Sequence, residues 1–439
     1  MRRQLSITFG IAFVTSTVAA QHRFDTSLSD RIDSYVANHI KNNDFAGVIL
    51  IAKKDTVLFQ KSYGKASASS PISVDTRFRI SSITKTFTAA LIYRLRDQGL
   101  LSLSDSISKF LPAYPGGNKI TIEHLLRHRS GIPDFTDFPD FKQAMQRPMT
   151  LEEIVNWFKD KPLLFPPGSS NSYTNSGYTL LAYIAQKIKN QPFEQLIADQ
   201  LLIPGGLTNT GIDHFADYGT NNNAEGFKIA GNHGLERVPP YYIENFIGCG
   251  FLASTAADVS KWTRLIISSK FFDVQKSPLY GWATRKYFGH DLIEQSGRTD
   301  GFIAYTSYFL KDGLMIIYLG NIESYVFNKM KLDLTAIYYG VPFDKPAYRK
   351  NISLSKKELA GWIGTYQLDA NTTFTITEDH KRLKFSYNSS QTKHDLIPIK
   401  GSGAFLRLYG VTLVKNAEGI AWNSDDLKAE CKKLNAPIP

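Results

Sequence analysis

The stretch "RISSITKTFTAALIYRL", residues 79–95, marks the point where an extended segment becomes an amphipathic one. Apolar side chains recur at every fourth position along it, at Ile83, Phe87, Leu91 and Leu95. This spacing predicts one buried face of an α-helix, with Ser81 as the candidate capping residue. The stretch therefore predicts a strand-like segment that leads directly into a helix.

The same stretch places Ser82 and Lys85 three positions apart, so a helix brings both side chains to one face. A serine hydroxyl is nearly inert at neutral pH unless a base removes its proton, and the lysine is a candidate activator. In the first turn, the positive end of the helix would also face charge developing on an attacked carbonyl. Lys85 could instead cover apolar surface with its stem. The tetrad alone does not decide, because Ser-x-x-Lys also occurs at Ser62, Ser106, Ser353 and Ser390.

The segments before and after this helix predict one α/β domain. The segment "GVILIAKKDTVLFQKSYGKA" from Gly47 has two alternating apolar runs around Lys54 and Asp55, which predicts a β-hairpin. From about residue 122 to 203 the pattern is helical with loops rich in glycine and proline, and strands return at "GFIAYTSYFL" and "LMIIYLGN". Strands on both sides of helices predict an α/β domain that carries a helical insertion.

A second unit is predicted near the carboxyl end. Residues 340–353, "GVPFDKPAYRKNIS", contain two prolines and several charges, which is typical of a linker. Ser355 and Glu358 have capping-box spacing, and short strands such as "TTFTITEDHKRLKFSY" alternate with turns beyond them. We expect a hydrolase-like domain over residues 21–343 and a small β-rich, barrel-like domain over 352–439 without catalytic residues.

The first twenty residues, "MRRQLSITFGIAFVTSTVAA", have two arginines, a short apolar stretch and small residues up to Ala20. This pattern predicts a cleavable signal peptide over residues 1–20, although an uncleaved membrane anchor remains an alternative. We therefore expect a periplasmic or secreted protein without stable membrane insertion once the signal is removed.

The composition narrows the classes of ligand. The 51 Lys and Arg residues exceed the 40 Asp and Glu residues, but they are dispersed, which argues against a nucleic-acid partner. A solvated basic surface of this kind could attract anionic envelope polymers. Cys249 and Cys431 are the only cysteines, and we expect them to be unpaired, although an exported protein could join them. Because no clustered Cys/His spacing or phosphate-binding glycine loop is present, we expect no metal and no cofactor.

A second polar element changes the interpretation of Ser82. "SYTNSGY" places Tyr173 and Asn175 two positions apart, and in an extended loop such residues face the same side. A tyrosine hydroxyl beside a lysine cation can relay protons, and the Asn175 amide can hold a substrate carbonyl or the lysine itself. A buried tyrosine next to a turn asparagine is the alternative.

Together these motifs resemble the serine β-lactamase-like and penicillin-binding family. The resemblance rests on "SITK" at Ser82, "YTN" at Tyr173 after "PPG", "HLLRHRSGIPDF" from His124 and "GCGFLASTAADVSKW" from Gly248. It covers about residues 35–335 and is nearest to class C β-lactamases, D-alanyl-D-alanine peptidases and related esterases. It implies a β-lactamase/transpeptidase-like antiparallel sheet flanked by helices, with Ser82, Lys85 and Tyr173 as the catalytic residues.

The third element of this family departs from its pattern here. The family places Lys or His, then Ser, Thr or Gly, then Gly, whereas this chain has Gln295, Ser296 and Gly297 in "EQSGRTDGF". Without this cation, a substrate carboxylate is bound less strongly, and Arg298 could supply the positive charge instead. By resemblance, Asn175 and residues 295–298 bind substrate, and the backbone N–H groups of Ser82 and Arg298 form the oxyanion hole.

The resemblance implies a serine hydrolase that forms an acyl-enzyme at Ser82, and the pattern of residues 1–20 predicts that it is exported. We expect it to cleave an ester, an amide or a D-residue peptide bond in a small molecule or short peptide from the cell envelope. A class C type β-lactamase and a penicillin-binding sensor without efficient turnover are the alternatives. Gln295 favours an esterase or a peptidase.

Overall fold

The computed structural model describes residues 27–434, except 221, 351, 389–392 and 425–426. The predicted signal peptide therefore lies outside the described residues. Within them, one α/β domain extends to Tyr339, and a β-barrel domain begins with a short helix at Lys356. No described helix combines the length and the apolar character that crossing a bilayer requires.

The α-helices are α1 (Leu28–Lys41), α2 (Thr84–Asp97), α3 (Ile122–Leu126), α4 (Phe141–Ala144), α5 (Leu151–Phe158), α6 (Asn175–Lys189), α7 (Phe193–Ile197), α8 (Ile203–Gly205), α9 (Ala256–Ile267), α10 (Val326–Tyr339) and α11 (Lys356–Ala360). Short 3₁₀ turns cover Ser81–Ile83, Ile107–Lys109, Gly117–Lys119, Phe135–Asp137, Phe215–Asp217 and Ile243–Phe246, and one π-helical turn covers Ala198–Leu202.

The strands of the α/β domain are β1 (Gly47–Lys53), β2 (Thr56–Tyr63), β3 (Phe78–Arg79), β4 (Gly211–Ile212), β5 (Phe227–Ala230), β6 (Gly234–Arg237), β7 (Leu252–Ser254), β8 (Ala283–Tyr287), β9 (His290–Thr299), β10 (Phe302–Phe309), β11 (Leu314–Gly320) and β12 (Ile322–Glu323). Those of the barrel are β13 (Gly364–Gln367), β14 (Thr373–Asp379), β15 (Arg382–Tyr387), β16 (His394–Ile399), β17 (Gly403–Leu406), β18 (Val411–Lys415), β19 (Gly419–Asn423) and β20 (Lys428–Lys433).

The central sheet is antiparallel, with the strand order β2-β1-β11-β10-β9-β8. Successive side chains of a strand point to opposite faces, so β1 contributes to two cores. Val48 and Leu50 pack into the core that contains α2 and α9, whereas Ile49 and Ile51 pack against α1 and α10. The hairpin predicted around Lys54 joins β1 to β2, and α2 to α8 lie between β3 and β4. The predicted antiparallel sheet, flanked by helices and carrying a helical insertion, is confirmed.

The start of α2 differs from the expectation. Ser81 does not cap the helix. It is the first residue of a 3₁₀ turn that precedes α2, and Ile80 occupies the N-cap position of this turn without a side-chain capping hydrogen bond. Ser81 has φ of +48°, which is uncommon outside glycine, and its hydroxyl has no hydrogen-bond partner among the described residues. Strand β9 passes directly against this turn, since a Cβ added to Gly297 would lie 3.0 Å from the Cβ of Ser81. Close packing of β9, not capping, shapes the turn.

The carboxyl-terminal domain is a closed barrel in which β13 pairs with both β14 and β20. Its interior is filled by apolar side chains that include Phe374, Phe385, Leu413 and Trp422. The capping box predicted at Ser355 and Glu358 is present at the start of α11. The barrel-like domain expected from the alternating pattern is confirmed.

Candidate active site

Ser82 lies in the 3₁₀ turn that connects β3 to α2, and Lys85 lies in the first turn of α2. The lysine is fully buried, yet its Nζ has three acceptors. It donates to Ser82 Oγ at 3.1 Å, to Asn175 Oδ1 at 2.7 Å and to the Cys249 carbonyl oxygen at 2.9 Å. Three acceptors are the number that a lysine side-chain ammonium group can satisfy.

The amino end of α6 brings the second pair of residues to the nucleophile. Asn175 is the first residue of α6, and Tyr173 stands just before it in extended chain. The Tyr173 hydroxyl lies 2.7 Å from Ser82 Oγ, and the Lys85 Nζ lies 4.8 Å from the Tyr173 ring centroid. The structure therefore brings together Ser82, Lys85, Tyr173 and Asn175, from two segments that are 91 residues apart in sequence.

Two further residues hold this arrangement in place. Asp134 Oδ2 accepts hydrogen bonds from the Asn175 backbone N–H at 3.0 Å and from its side-chain amide at 2.9 Å. These bonds orient the amide so that its oxygen faces Lys85. His128 Nδ1 accepts from the Thr174 N–H at 3.2 Å, and its ring lies 4.6 Å from that of Tyr173. Burial, with a smaller effect of the Lys85 charge, lowers the pKa of His128 to about 4, so the ring is neutral at pH 7. The structural role expected for His128 agrees with these contacts.

The third family element, at residues 295–297 of β9, contributes to the site mainly through its backbone. A Cβ on Gly297 would overlap the carbonyl oxygen of Ile80 and lie 3.0 Å from the Ser82 nitrogen, so only glycine allows β9 to approach so closely. Gln295, expected to contact substrate, donates its amide to the Gly281 carbonyl and accepts from the Ser296 N–H at 2.8 Å. Neither Gln295 nor Ser296 lines the cavity described next, as far as the described chain shows. The Gln295 side chain bonds to nearby backbone on both its amide nitrogen and its oxygen, and the substrate contacts of Gln295 and Ser296 stay predictions.

A cavity of about 310 Å³ opens in front of Ser82. Its wall includes the predicted residues Tyr173, Asn175 and Arg298. The wall is completed by residues that were not predicted as site residues, namely Ser81, Thr136, Phe141, Ile243, Phe246, Cys249, Gly250, Thr299, Asp300 and Glu323. A second cavity of about 390 Å³ adjoins the first, and the two share Phe141, Phe246, Thr299 and Asp300. The site is therefore a groove and not a closed pocket.

The charged groups of this wall differ in how closely they are paired. Arg298 is exposed over 57% of its side chain, and its Nε lies 3.8 Å from Glu323 Oε1. Burial raises the pKa of Glu323, and the Arg298 charge opposes this effect. Asp300 pairs with Lys228 at 2.9 Å. Arg298 is thus a cation at the cavity wall with room for a second anionic partner.

The cysteines take no part as nucleophiles. Cys249 and Cys431 are both free and buried, as expected. Burial raises the pKa of Cys249 to about 11, so its thiol stays protonated near neutrality. The backbone carbonyl oxygen of Cys249 accepts the hydrogen bond from Lys85. In the part of the chain that the structure describes, no three His, Cys, Asp or Glu side chains group as a metal site requires.

Sequence reasoning missed Asp134 as well as the acidic wall residues Asp300 and Glu323. Asp134 stands in the quoted "RSGIPDF" segment, but its partner Asn175 is 41 residues away, and no spacing rule links the two. Glu323 lies in β12, which follows β11 and pairs in parallel with β5, a strand about 95 residues earlier in the sequence. The sequence carries no local signal for these contacts.

Comparisons with known proteins agree with this geometry. A family model described as Beta-lactamase matches residues 32–337. Penicillin-binding protein 4* of Bacillus subtilis is 24% identical over 409 residues, which cover 84% of this chain and 90% of that protein. Putative penicillin-binding protein PbpX of the same organism is 28% identical over 250 residues, covering 55% of this chain and 60% of that protein.

Solved structures show the same fold. The octameric penicillin-binding protein homologue from Pyrococcus abyssi matches with a TM-score of 0.64 and 22% identity over 93% of this chain and 98% of its own. The D-amino acid amidase from Ochrobactrum anthropi SV3, complexed with D-phenylalanine, matches with a TM-score of 0.63 and 20% identity over 71% of this chain and 99% of its own. The chain therefore belongs to the Beta-lactamase family, a family of serine hydrolases.

Proposed function

We propose that the protein is an exported serine hydrolase that cleaves an ester, an amide or a D-residue peptide bond through an acyl-enzyme at Ser82. The observation that carries the proposal is the contact of Ser82 Oγ with both the Tyr173 hydroxyl at 2.7 Å and the Lys85 ammonium at 3.1 Å. A serine becomes a nucleophile when an adjacent group takes its proton, and this contact supplies such a group.

The proton path follows from the hydrogen bonds. Because Lys85 uses all three ammonium protons as donors, the group that accepts the Ser82 proton is the Tyr173 oxygen. The lysine charge next to the phenol ring stabilises negative charge on that oxygen. In the reactive form that we propose, Tyr173 is a phenolate that accepts the hydrogen bond from Ser82. As Ser82 Oγ bonds to the substrate carbonyl carbon, its proton passes to this phenolate, and the resulting phenol then protonates the leaving group. Water attacks the acyl-enzyme by the same route in reverse and releases the acid.

Charge develops on the carbonyl oxygen during both steps. The close approach of Gly297 to the Ser82 nitrogen places the backbone of β9 beside the first turn of α2. The N–H groups of Ser82 and Arg298 are the donors proposed for the oxyanion. Donors held in place before the reaction stabilise such charge without reorganisation, so we expect a substitution at Gly297 to lower the rate of catalysis.

The shape of the groove favours a short peptide over a single small amide. The second cavity continues the first past Phe141 and Phe246, and apolar residues such as Val238 and Tyr241 line it. The names of the relatives, penicillin-binding proteins and a D-amino acid amidase, are compatible with a D-residue substrate. We therefore propose an envelope-derived short peptide or its ester as the substrate class.

The proposal is tested by intact-mass labelling with a fluorophosphonate and with a penicillin, followed by mapping of the adduct. We expect a fluorophosphonate adduct at Ser82, lost in Ser82→Ala. Ser106→Ala is the matched control, since Ser106 heads the same tetrad but bonds to Ser108 Oγ at 2.9 Å. An unchanged adduct in Ser82→Ala would contradict the mechanism. Labelling by the penicillin with a burst and no turnover would identify a sensor instead of an enzyme.

Arg298 tests how the substrate is held. If its guanidinium replaces the cation missing at Gln295, Arg298→Ala slows hydrolysis of substrates that carry a free carboxylate more than that of neutral analogues. Equal slowing of both would refute the carboxylate contact. Arg285→Ala is a suitable control, because Arg285 is similarly exposed at 55% of its side chain but pairs with Glu294 outside the cavity.

Export is the remaining part of the proposal. It rests on the pattern of residues 1–20, with its small residues up to Ala20. Amino-terminal sequencing of the protein recovered from the periplasm or medium is expected to begin at Gln21. A chain that retains Met1 and stays with the membrane fraction would support an anchor.

A further inference from the structure

A third cavity, of about 590 Å³, lies between α4 and α5. It shares no described lining residue with the two cavities of the catalytic groove. Its wall combines polar and aromatic side chains from two segments, among them Asp140, Gln143 and Arg147 at α4 and Glu153, Asn156 and Trp157 on α5. Spacings of three, four and seven residues place side chains on one face of a helix. The cavity is therefore a cleft between two helix faces, and its size is within the range of small-molecule sites, about 300–1,000 Å³.

Two contacts join the walls of this cleft. Trp157 Nε1 donates to Asp140 Oδ2 at 3.1 Å, and Arg147 Nη1 donates to Glu153 Oε1 at 3.1 Å. Trp157 also packs perpendicular to the ring of Phe138, with centroids 5.4 Å apart. These charged side chains are thus already bonded across the cleft, and a charged ligand would have to displace one of the contacts. The cleft therefore favours a neutral ligand, for which its walls are held in place beforehand.

Two side-chain amides are left to bond to a ligand. Gln143 and Asn156 are exposed, and neither amide has a hydrogen-bond partner in the part of the chain that the structure describes. An amide donates through its nitrogen and accepts through its oxygen, and a hydroxyl group likewise does both. Since one amide lies on each wall, a ligand with several hydroxyl groups can bond to both walls at once.

Trp157 supplies an apolar surface beside these amides. Its side chain is partly buried, and the bond to Asp140 and the packing on Phe138 fix its ring. The face of an aromatic ring carries partial negative charge, so it attracts C–H groups with a small positive charge. A sugar ring presents such C–H groups on its face and hydroxyl groups around its edge. The combination of one fixed indole and two free amides therefore suits a saccharide better than a peptide, which has few hydroxyl groups.

We propose that the cleft between α4 and α5 is a binding site for a neutral saccharide. Trp157 packs against the C–H face of one sugar ring, while Gln143 and Asn156 bond to its hydroxyl or acetamido groups. The inference goes beyond the proposed hydrolase function, because it requires no reaction at Ser82. Asp140 lines the cleft, whereas its neighbour Phe141 lines both cavities of the catalytic groove. A saccharide in the cleft therefore lies beside the groove and leaves Ser82 accessible.

The test is calorimetric titration of the full-length protein with tri-N-acetylchitotriose and with maltotriose. We expect saturable binding of at least one of the two trisaccharides. Gln143→Ala and Asn156→Ala change exposed residues, and each is expected to raise Kd about 2- to 12-fold, the range of one hydrogen bond. Trp157→Ala is expected to raise Kd by a similar factor through loss of the ring contact. If Trp157→Ala fails to fold, the two amide variants decide.

Asn328→Ala is the matched control, because Asn328 is exposed on α10 and lines none of the three cavities. It is expected to leave Kd unchanged. Absence of saturable binding by both trisaccharides, or an unchanged Kd in both amide variants, would overturn the inference. Binding of tri-alanine that the amide variants weaken would identify a peptide site and would overturn it as well.

Labelling of Ser82 by diisopropyl fluorophosphate separates the cleft from the catalytic groove. Saturating trisaccharide is expected to leave the labelling rate unchanged. Protection of Ser82 would place the saccharide in the groove and would contradict the inference. Absence of any label without saccharide would count against the hydrolase function alone, because the titrations decide the saccharide site independently.

Discussion

The substitution Tyr173→Phe removes the phenolic hydroxyl and keeps the aromatic ring, so it tests the role of this residue in proton transfer. The hydroxyl lies 2.7 Å from Ser82 Oγ, and it is the group proposed to take the serine proton. Lys85 still donates to Ser82 in the variant, so the serine stays in position. Loss of a positioned general base costs about 10²- to 10⁴-fold in rate, which corresponds to about 3–5 kcal/mol in the activation free energy.

Folding should hardly change, because 50% of the Tyr173 surface is exposed and its ring remains. We expect kcat/KM for a neutral ester to fall by that factor while the midpoint of thermal unfolding stays within about 2 °C, since exposed substitutions shift stability little. Tyr348→Phe, at a tyrosine exposed to 49%, is the control. If Tyr173→Phe keeps more than a tenth of the wild-type kcat/KM, Tyr173 is not the main base and Lys85 must be reconsidered.

Three further predictions concern stability. Burial lowers the pKa of His39 from 6.5 to about 4, so between these pH values the unfolded chain binds more protons than the folded chain. The contribution of His39 to the free energy of unfolding is therefore complete above pH 6.5 and falls by about 2 kcal/mol by pH 5. Urea unfolding at pH 7.5 and at pH 5 measures this difference. His128 acts in the same direction, and equal stability at both pH values would contradict the argument. Gly297→Ala should lower the free energy of unfolding by about 1–3 kcal/mol and lower the activity, because the added Cβ would overlap the carbonyl oxygen of Ile80. An active variant with wild-type stability would refute the close approach. Asp44→Asn should cost about 3–5 kcal/mol in urea unfolding by leaving two buried guanidinium groups without a carboxylate, and a loss below 1 kcal/mol would show that the surroundings of Asp44 relax.

Local patterns were sufficient to predict several of the strands and helices. The alternation around Lys54 predicts the β1–β2 hairpin, and the four-residue spacing from Ile83 predicts the helix α2. The single buried face expected for α2 is wrong, because the folded chain buries this helix on nearly every side. The alternating strands after Ser355 predict the barrel. Each of these signals arises from neighbours within a few residues, where the periods of a helix or a strand apply directly.

The departures have tertiary causes. Ser81 fails as a cap because β9, more than 200 residues later, presses Gly297 against the turn. Gln295 turns to the Gly281 carbonyl because that backbone oxygen lies beside it in the folded chain. Arg298 is left as the cation of the cavity wall.

By itself, the sequence determined the succession of strands and helices, the division into an α/β domain and a barrel, and the candidate nucleophile with its lysine and tyrosine. The folded chain alone decided that Asp134 orients Asn175 and that acidic residues line the cavity. Periodicity and capping depend on adjacent residues, whereas these contacts join segments that are far apart along the chain. Their distances depend on how sheets, helices and barrel pack together, and no spacing in the sequence encodes that packing.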